Sequence, residues 1–174
     1  MNTVNTTPSL SVIVLAAGKG TRMKSPLPKV LHPVVGLPMV MRVLSVAKSV
    51  GAKELRVVVG YGESLVRRVI EPFGATAYPQ KEQKGTADAV LSADPASLNG
   101  LVMIMNGDNP LVEAKDLKSV IENFNELKAD LAVVTSVMKN PGSLGRIVRQ
   151  KGELKAIVEA GDAGAETLKI REVN

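Results

Sequence analysis

The sequence predicts an α/β fold: a doubly wound, mainly parallel sheet followed by a C-terminal β-hairpin. Three observations predict it. Short apolar runs at Leu10–Ala16, Leu55–Val59 and Leu101–Met105 alternate with segments whose apolar residues recur at helical spacing. The run at 101–105 is apolar throughout, the pattern of a strand covered on both faces. The first run opens directly into a Gly-rich turn, and in parallel sheets such turns leave the carboxyl ends of strands, where ligands bind.

The elements follow in order. Leu10 to Ala16 reads as a buried parallel strand, followed by a basic loop. From Pro38 to Val50, Val40, Val43, Leu44 and Ala47 repeat at i, i+3, i+4, i+7, and Gly51 stands at the expected stop, so this segment is a helix. The β-branched run at 55–59 is a strand, and Ser64–Glu71 is a second helix with Leu65 and Val69 on one face. An extended piece at Ala75–Tyr78 precedes a helix over Thr86–Ala93 and then the strand at 101–105. Leu117, Val120, Ile121 and Phe124 mark a helix between Glu113 and Leu127, and Leu131–Val137 returns to strand character. Ile147–Arg149 and Leu154–Val158 flank Gln150-Lys-Gly-Glu153 as a hairpin, and Glu159–Leu168 is a loop rich in Gly, Ala and acids. With 174 residues, 45% of them hydrophobic, the chain can bury one sizeable core, and a single domain over 10–174 is expected behind a flexible N-terminus at 1–9.

The charge is unevenly placed. Residues 1–53 hold seven bases (Lys19, Arg22, Lys24, Lys29, Arg42, Lys48, Lys53) and no acid, whereas all 17 acids lie beyond them. The net charge of +5 is therefore concentrated around the first loop, as a compact polyanionic substrate requires. A nucleic-acid surface would add aromatic residues for stacking, and the chain has two Tyr, two Phe and no Trp. No Cys is present, which excludes disulfides, thiolate metal sites and a cysteine nucleophile. Met1–Pro8 lacks the basic and apolar regions of a signal peptide, and no apolar run reaches the length of a membrane span; cytoplasmic residence and no membrane partner are the expectation.

Leu15-Ala-Ala-Gly-Lys-Gly-Thr-Arg-Met23 has the build of a phosphate-handling loop. Glycine at 18 and 20 permits positive φ and close approach of phosphate oxygens to backbone N–H groups, while Lys19, Arg22, Lys24 and Lys29 supply positive charge. Gly18-Lys-Gly20-Thr-Arg-Met23 matches a dinucleotide fingerprint only at its first two glycines, no acid follows about twenty residues on, and no Walker loop occurs. Asn106-Gly-Asp-Asn-Pro110 leaves the strand at 101–105 at the same sheet edge, which places Asp108 for Mg²⁺; the same residues also make a good Asx turn. Gln80-Lys-Glu-Gln-Lys-Gly-Thr86 carries amides that suit a pyrimidine edge, and it also reads as an ordinary polar loop. The lone His32 reads as structural, and Glu159 with Asp162 makes no glycosidase pair.

These motifs, with Leu27-Pro-Lys-Val-Leu-His32, Gly36 and Pro38-Met39 behind them, resemble the sugar-1-phosphate nucleotidyltransferases, most closely the bacterial N-acetylglucosamine-1-phosphate uridylyltransferase domains. The resemblance covers nearly the whole chain and implies a Rossmann-like sheet of the GT-A-like nucleotidyltransferase type. It implies Mg²⁺-dependent transfer of UMP from UTP to N-acetylglucosamine 1-phosphate, a step of cell-wall precursor synthesis. By position, it implies that Leu15, Ala16, Ala17, Gly18, Gly20 and Thr21 line the nucleotide, with Gln80, Gln83, Gly85 and Thr86 at the base and its neighbourhood. Arg22 and Lys29 would hold triphosphate oxygens, Asp108 would ligate Mg²⁺, and Asn106, Gly145, Glu159 and Asn174 would lie by the sugar. Asn106 stands where the family commonly has Tyr. The family's domain continues beyond the position of Asn174 to a second metal-ligating Asn and a trimerising β-helix, so a truncated chain, monomeric or weakly oligomeric, is the expectation. Another sugar-1-phosphate nucleotidyltransferase, such as a thymidylyltransferase, or a silent nucleotide-binding module are the alternatives.

Overall fold

The computed structural model describes residues 8–82 and 84–174. They form two compact units that meet in sequence between Lys118 and Ser119.

The first unit is built on a parallel sheet. Its elements are β1 (Leu10–Ala16), a small hairpin of β2 (Pro33–Val34) and β3 (Leu37–Pro38), α1 (Met39–Ser49), β4 (Glu54–Val59), α2 (Glu63–Ile70), β5 (Thr76–Pro79), α3 (Thr86–Ser92), β6 (Leu101–Asn106) and the start of α4 (Ala114–Glu126). The main sheet runs β5-β4-β1-β6, every pair parallel. Alternation along β1 sends Ile13 toward α3, where it packs with Val58, Ala89 and Ala93. The other helices cover β1, β4 and β5, α1 lying on β1 and α2 on β4 and β5. Val12, Ile13, Val14, Val57, Val58 and Val59 are essentially inaccessible, and each contributes about 1.5–3 kcal/mol of hydrophobic stabilisation. α1 fits its periodicity: Val40, Val43, Leu44 and Ala47 are all buried.

One strand differs from the expectation. β6 is an edge of the described sheet, and Ile104 is 51% exposed, so this run is not covered on both faces. An apolar run records strand propensity, but the neighbour that would cover it belongs to the topology.

A buried charge also enters this sheet. Arg56 of β4 donates to the carbonyls of Ala93 (2.7 Å) and Asp94 (2.6 Å), pairs with Glu54 and lies over the Tyr78 ring. It ties the end of α3 to the sheet, and its donors are satisfied where burial would otherwise be costly.

The second unit is antiparallel. β7 (Ser136–Val137), β8 (Arg146–Gln150), β9 (Glu153–Val158), α5 (Ala165–Leu168) and β10 (Glu172–Val173) form a sheet in the order β7-β10-β8-β9. The expected hairpin is β8–β9, closed by Lys151 and Gly152, both at positive φ, as a two-residue turn requires. Two expectations change here. Only Ser136 and Val137 of the run 131–137 pair as strand, and the loop at 159–168 contains the short helix α5.

Candidate functional site

Parallel register brings four strand ends to one rim of the first unit. Ala16 lies beside Val59, Leu15 beside Asn106, and Val59 beside Pro79. The segments that leave these ends therefore share one edge: the loop after Ala17, the turn after Gly60, the approach to Gln80, and Gly107–Asp108.

The two motifs singled out from the sequence meet there. Lys29 Nζ donates to Asp108 Oδ2 at 2.5 Å. Gly20 sits against the same lysine: it has φ +62, and a Cβ on it would stand 2.6 Å from Lys29 Cβ. Gly20 is thus fixed by both backbone and packing. Gly107 is held by close approach, since its N–H donates to Leu15 O at 2.9 Å and a Cβ would meet that same oxygen. Gly18 differs from the expectation. Its φ is not positive and a Cβ there would meet nothing, so its place in the loop is not forced by the fold.

The loop beyond Gly18 is braced by a segment the motif reading passed over, Gly60-Tyr61-Gly62. Tyr61 N–H donates to Ala17 O, its hydroxyl donates to Pro26 O at 3.1 Å, and Lys19 lies 5.6 Å above its ring. Gly62, at φ +66, leaves room for the Pro28 ring. The available signal was position, a Gly-Tyr-Gly at the carboxyl end of a second parallel strand. Thr21 and Arg22 lie in a single tight turn, exposed, and Arg22 makes no ion pair among the described residues.

Gln80 is buried beside α3, with its amide nitrogen 2.8 Å from Asp88 Oδ2 and 3.4 Å from Gly85 O. Gly85 precedes α3 at φ +108, and Thr86 is its first residue. Gln83 lies outside the described residues. Leu15 is half-buried, Ala16 and Ala17 are buried, and Asn106 is exposed at the end of β6. Asp108 borders a shallow depression of about 400 Å³ lined by Asn109, Pro110, Leu111, Val112 and Asp116. His32 Nε2 is buried without a partner among the described residues.

The remaining sugar candidates lie in the second unit and converge within it. Arg146 pairs with Val158 across the hairpin and with Val173 of β10, so Gly145, Glu159 and Asn174 fall at one end of that sheet. Asn174 N–H donates to Gly145 O, and the Asn174 side-chain oxygen occupies the space a Cβ on Gly145 would need. At the sheet's other side, hydrogen bonds from Arg149 and Thr135 hold the Glu172 carboxyl down to about 2.

On this parallel sheet a glycine loop, an ammonium and a carboxylate share one carboxyl rim, and the chain belongs to the MobA-like NTP transferase domain family, a nucleotidyltransferase domain, matched over residues 12–168. Its relatives sharpen this. It is 62% identical over 165 residues to the bifunctional protein GlmU of Bdellovibrio bacteriovorus and 44% identical over 167 residues to that of Marinobacter nauticus. Each alignment covers 95% of this chain, which spans about 36% of either relative. The resemblance read from residues 15–32 therefore holds. A UDP-glucose pyrophosphorylase solved with UDP-glucose shares the fold at TM-score 0.71 and 18% identity, over 95% of this chain and 73% of that one. Among the described residues no helix is long and apolar enough to cross a membrane.

Proposed function

We propose that this chain transfers UMP from UTP to N-acetylglucosamine 1-phosphate with release of pyrophosphate. The observation that carries the proposal is the Lys29–Asp108 pair, which links the glycine loop to the turn after β6. It supports a reading in which one triphosphate spans both.

The chemistry asks little of acid or base. The attacking sugar phosphate is already ionised near neutral pH, so the barrier is the approach of two anions, and catalysis is positioning plus charge compensation. Arg22 and Lys29 supply positive charge, and the backbone N–H groups of 18–21 line the approach. Ala16 and Ala17 leave room for the nucleoside. Gln80 and Gly85 stand where the base would be read, with Thr86 beside them. By the resemblance, Asn106 within the first unit and, within the second, Gly145, Glu159 and Asn174 are each assigned to sugar contact.

Asp108 suits a divalent cation. Its side chain is 29% exposed, and one carboxylate oxygen has no hydrogen bond among the described residues. Mg²⁺ is an ion content with one or two carboxylates while phosphates and water fill its octahedron. When bound, the ion would neutralise charge on the triphosphate, and Lys29 would be freed to pair with phosphate oxygens.

The test is pyrophosphate release from UTP with N-acetylglucosamine 1-phosphate and Mg²⁺, set beside glucose 1-phosphate and beside dTTP. Release that needs UTP, the N-acetylated sugar and the ion is expected. Equal release with glucose 1-phosphate or dTTP would reassign the substrate, and none with any pair would leave a binding module.

A further inference from the structure

Gln80 has one amide and two neighbours that can only accept. Its Nε2 faces the Asp88 carboxylate at 2.8 Å and the Gly85 carbonyl at 3.4 Å. Neither can donate, so the NH₂ end must point at α3 and the carbonyl Oε1 must point away. Gln80 is 9% exposed, so the amide's orientation is decided by these neighbours rather than by water. No hydrogen bond to Oε1 is found among the described residues, whose bonds to Gln80 go to Nε2. A carbonyl presented alone selects a donor.

We propose that Asp88 is a positioning residue that sets the pyrimidine preference through Gln80. Holding the amide nitrogen toward α3, it makes Oε1 the reading group, so a base with a ring N–H at that edge, as uracil has at N3, is accepted. Cytosine presents a lone pair at the same atom and meets oxygen against nitrogen with no proton between them, leaving both acceptors unsatisfied. The inference rests on Gln80 being the base contact. Asp88 also lies in the first turn of α3, where a carboxylate favours the helix whatever Gln80 does, and the test must separate the two roles.

Calorimetric titration of UTP and of CTP into the wild-type chain, Asp88→Asn, Asp88→Ala and Gln80→Ala does so, with a thermal melt of each. The wild type is expected to bind UTP about tenfold or more tightly than CTP, the size of one unsatisfied polar pair. Asp88→Asn can accept from the Gln80 amide as before or donate to a reversed one, so the amide is no longer held one way, and the variant is expected to narrow the two affinities toward about threefold, with Tm nearly unchanged. Asp88→Ala is expected to narrow the ratio as well. A ratio kept at the wild-type value in both variants, whether affinities or Tm fall or not, overturns the inference and leaves Asp88 with its helix. UTP affinity unaltered in Gln80→Ala, or no UTP binding by the wild type, overturns the base-contact reading itself and the inference with it.

Discussion

The two units are held together by different means. Nearly all of the fully buried apolar side chains lie in the parallel unit, whereas the antiparallel unit contributes Ile147 and Val173 to that set. What organises the second unit is polar. Arg146, 3% exposed, donates to the carbonyls of Leu144, Gly142 and Leu168, and Glu172 collects hydrogen bonds from Arg149 and Thr135. Hydrophobic burial is non-directional and tolerates exchange of one apolar side chain for another, while a guanidinium that feeds three carbonyls fails when its geometry is lost. The rim of the first unit can therefore be rigid, because a packed sheet stands behind it.

The largest stability effect should come from the packed side. Ile13→Ala removes a fully buried side chain between β1 and α3 and is expected to cost about 2–5 kcal/mol in chemical denaturation. A loss below about 1 kcal/mol would mean that the parallel unit is less tightly packed than its burial implies. Arg146→Met keeps bulk but strands three carbonyls, and should cost about 1–3 kcal/mol. Hydrogen exchange should locate the loss in residues 136–174; protection lost equally in β1 and β4 would erase the contrast between the units.

Acid should act on the second unit through Glu172. Its folded carboxyl titrates near 2 against an ordinary 4.5, because Arg149 and Thr135 favour the ionised form. A group with a lowered folded pKa stabilises above its unfolded value and loses that contribution as pH falls toward the folded one. The stabilisation should be complete above pH 4.5 and drain away between 4.5 and about 2. Glu172→Gln should flatten the pH dependence of melting in that window, and an unchanged profile would remove the ion pair from the account.

The smallest effect is a gain. Val35 and Gly36 close the β2–β3 hairpin at φ +50 and +78, and Val35 is 89% exposed, a β-branched residue in a conformation it resists. Arg42 holds this turn by donating to Val34 O and Val35 O. Val35→Asn creates the Asn-Gly pair such turns prefer and should raise stability by about 0.5–1 kcal/mol; destabilisation would show that Val35 does something other than close the hairpin.

Much of this was legible in the sequence, because it depends on neighbours along the chain. Val40, Val43, Leu44 and Ala47 foretold α1, and a glycine turn after an apolar run foretold the rim on which the strand ends gather, since parallel strands deliver their ends to one edge. Asp108 and Lys29 were legible as chemistry. What escaped depends on topology: Ile104 is exposed on a strand at the edge of the described sheet, and Leu131–Thr135 has strand composition without strand pairing. Buried arginines escaped for another reason. Arg56 and Arg146 look like surface residues until the carbonyls that satisfy them are in place. The brace at Tyr61 and the lock at Asp88 belong to the same class, each a contact between loops whose residue types alone carry no signal.

The convergence of Gly20, Lys29 and Asp108 is the claim on which the functional reading stands, and pyrophosphate release by Asp108→Ala tests it most directly. With UTP, N-acetylglucosamine 1-phosphate and Mg²⁺, release should fall by about 10²–10³-fold while Tm stays within a few degrees, since the side chain is partly exposed and its ion pair adds little to stability. Wild-type, Mg²⁺-dependent release from that variant would contradict it.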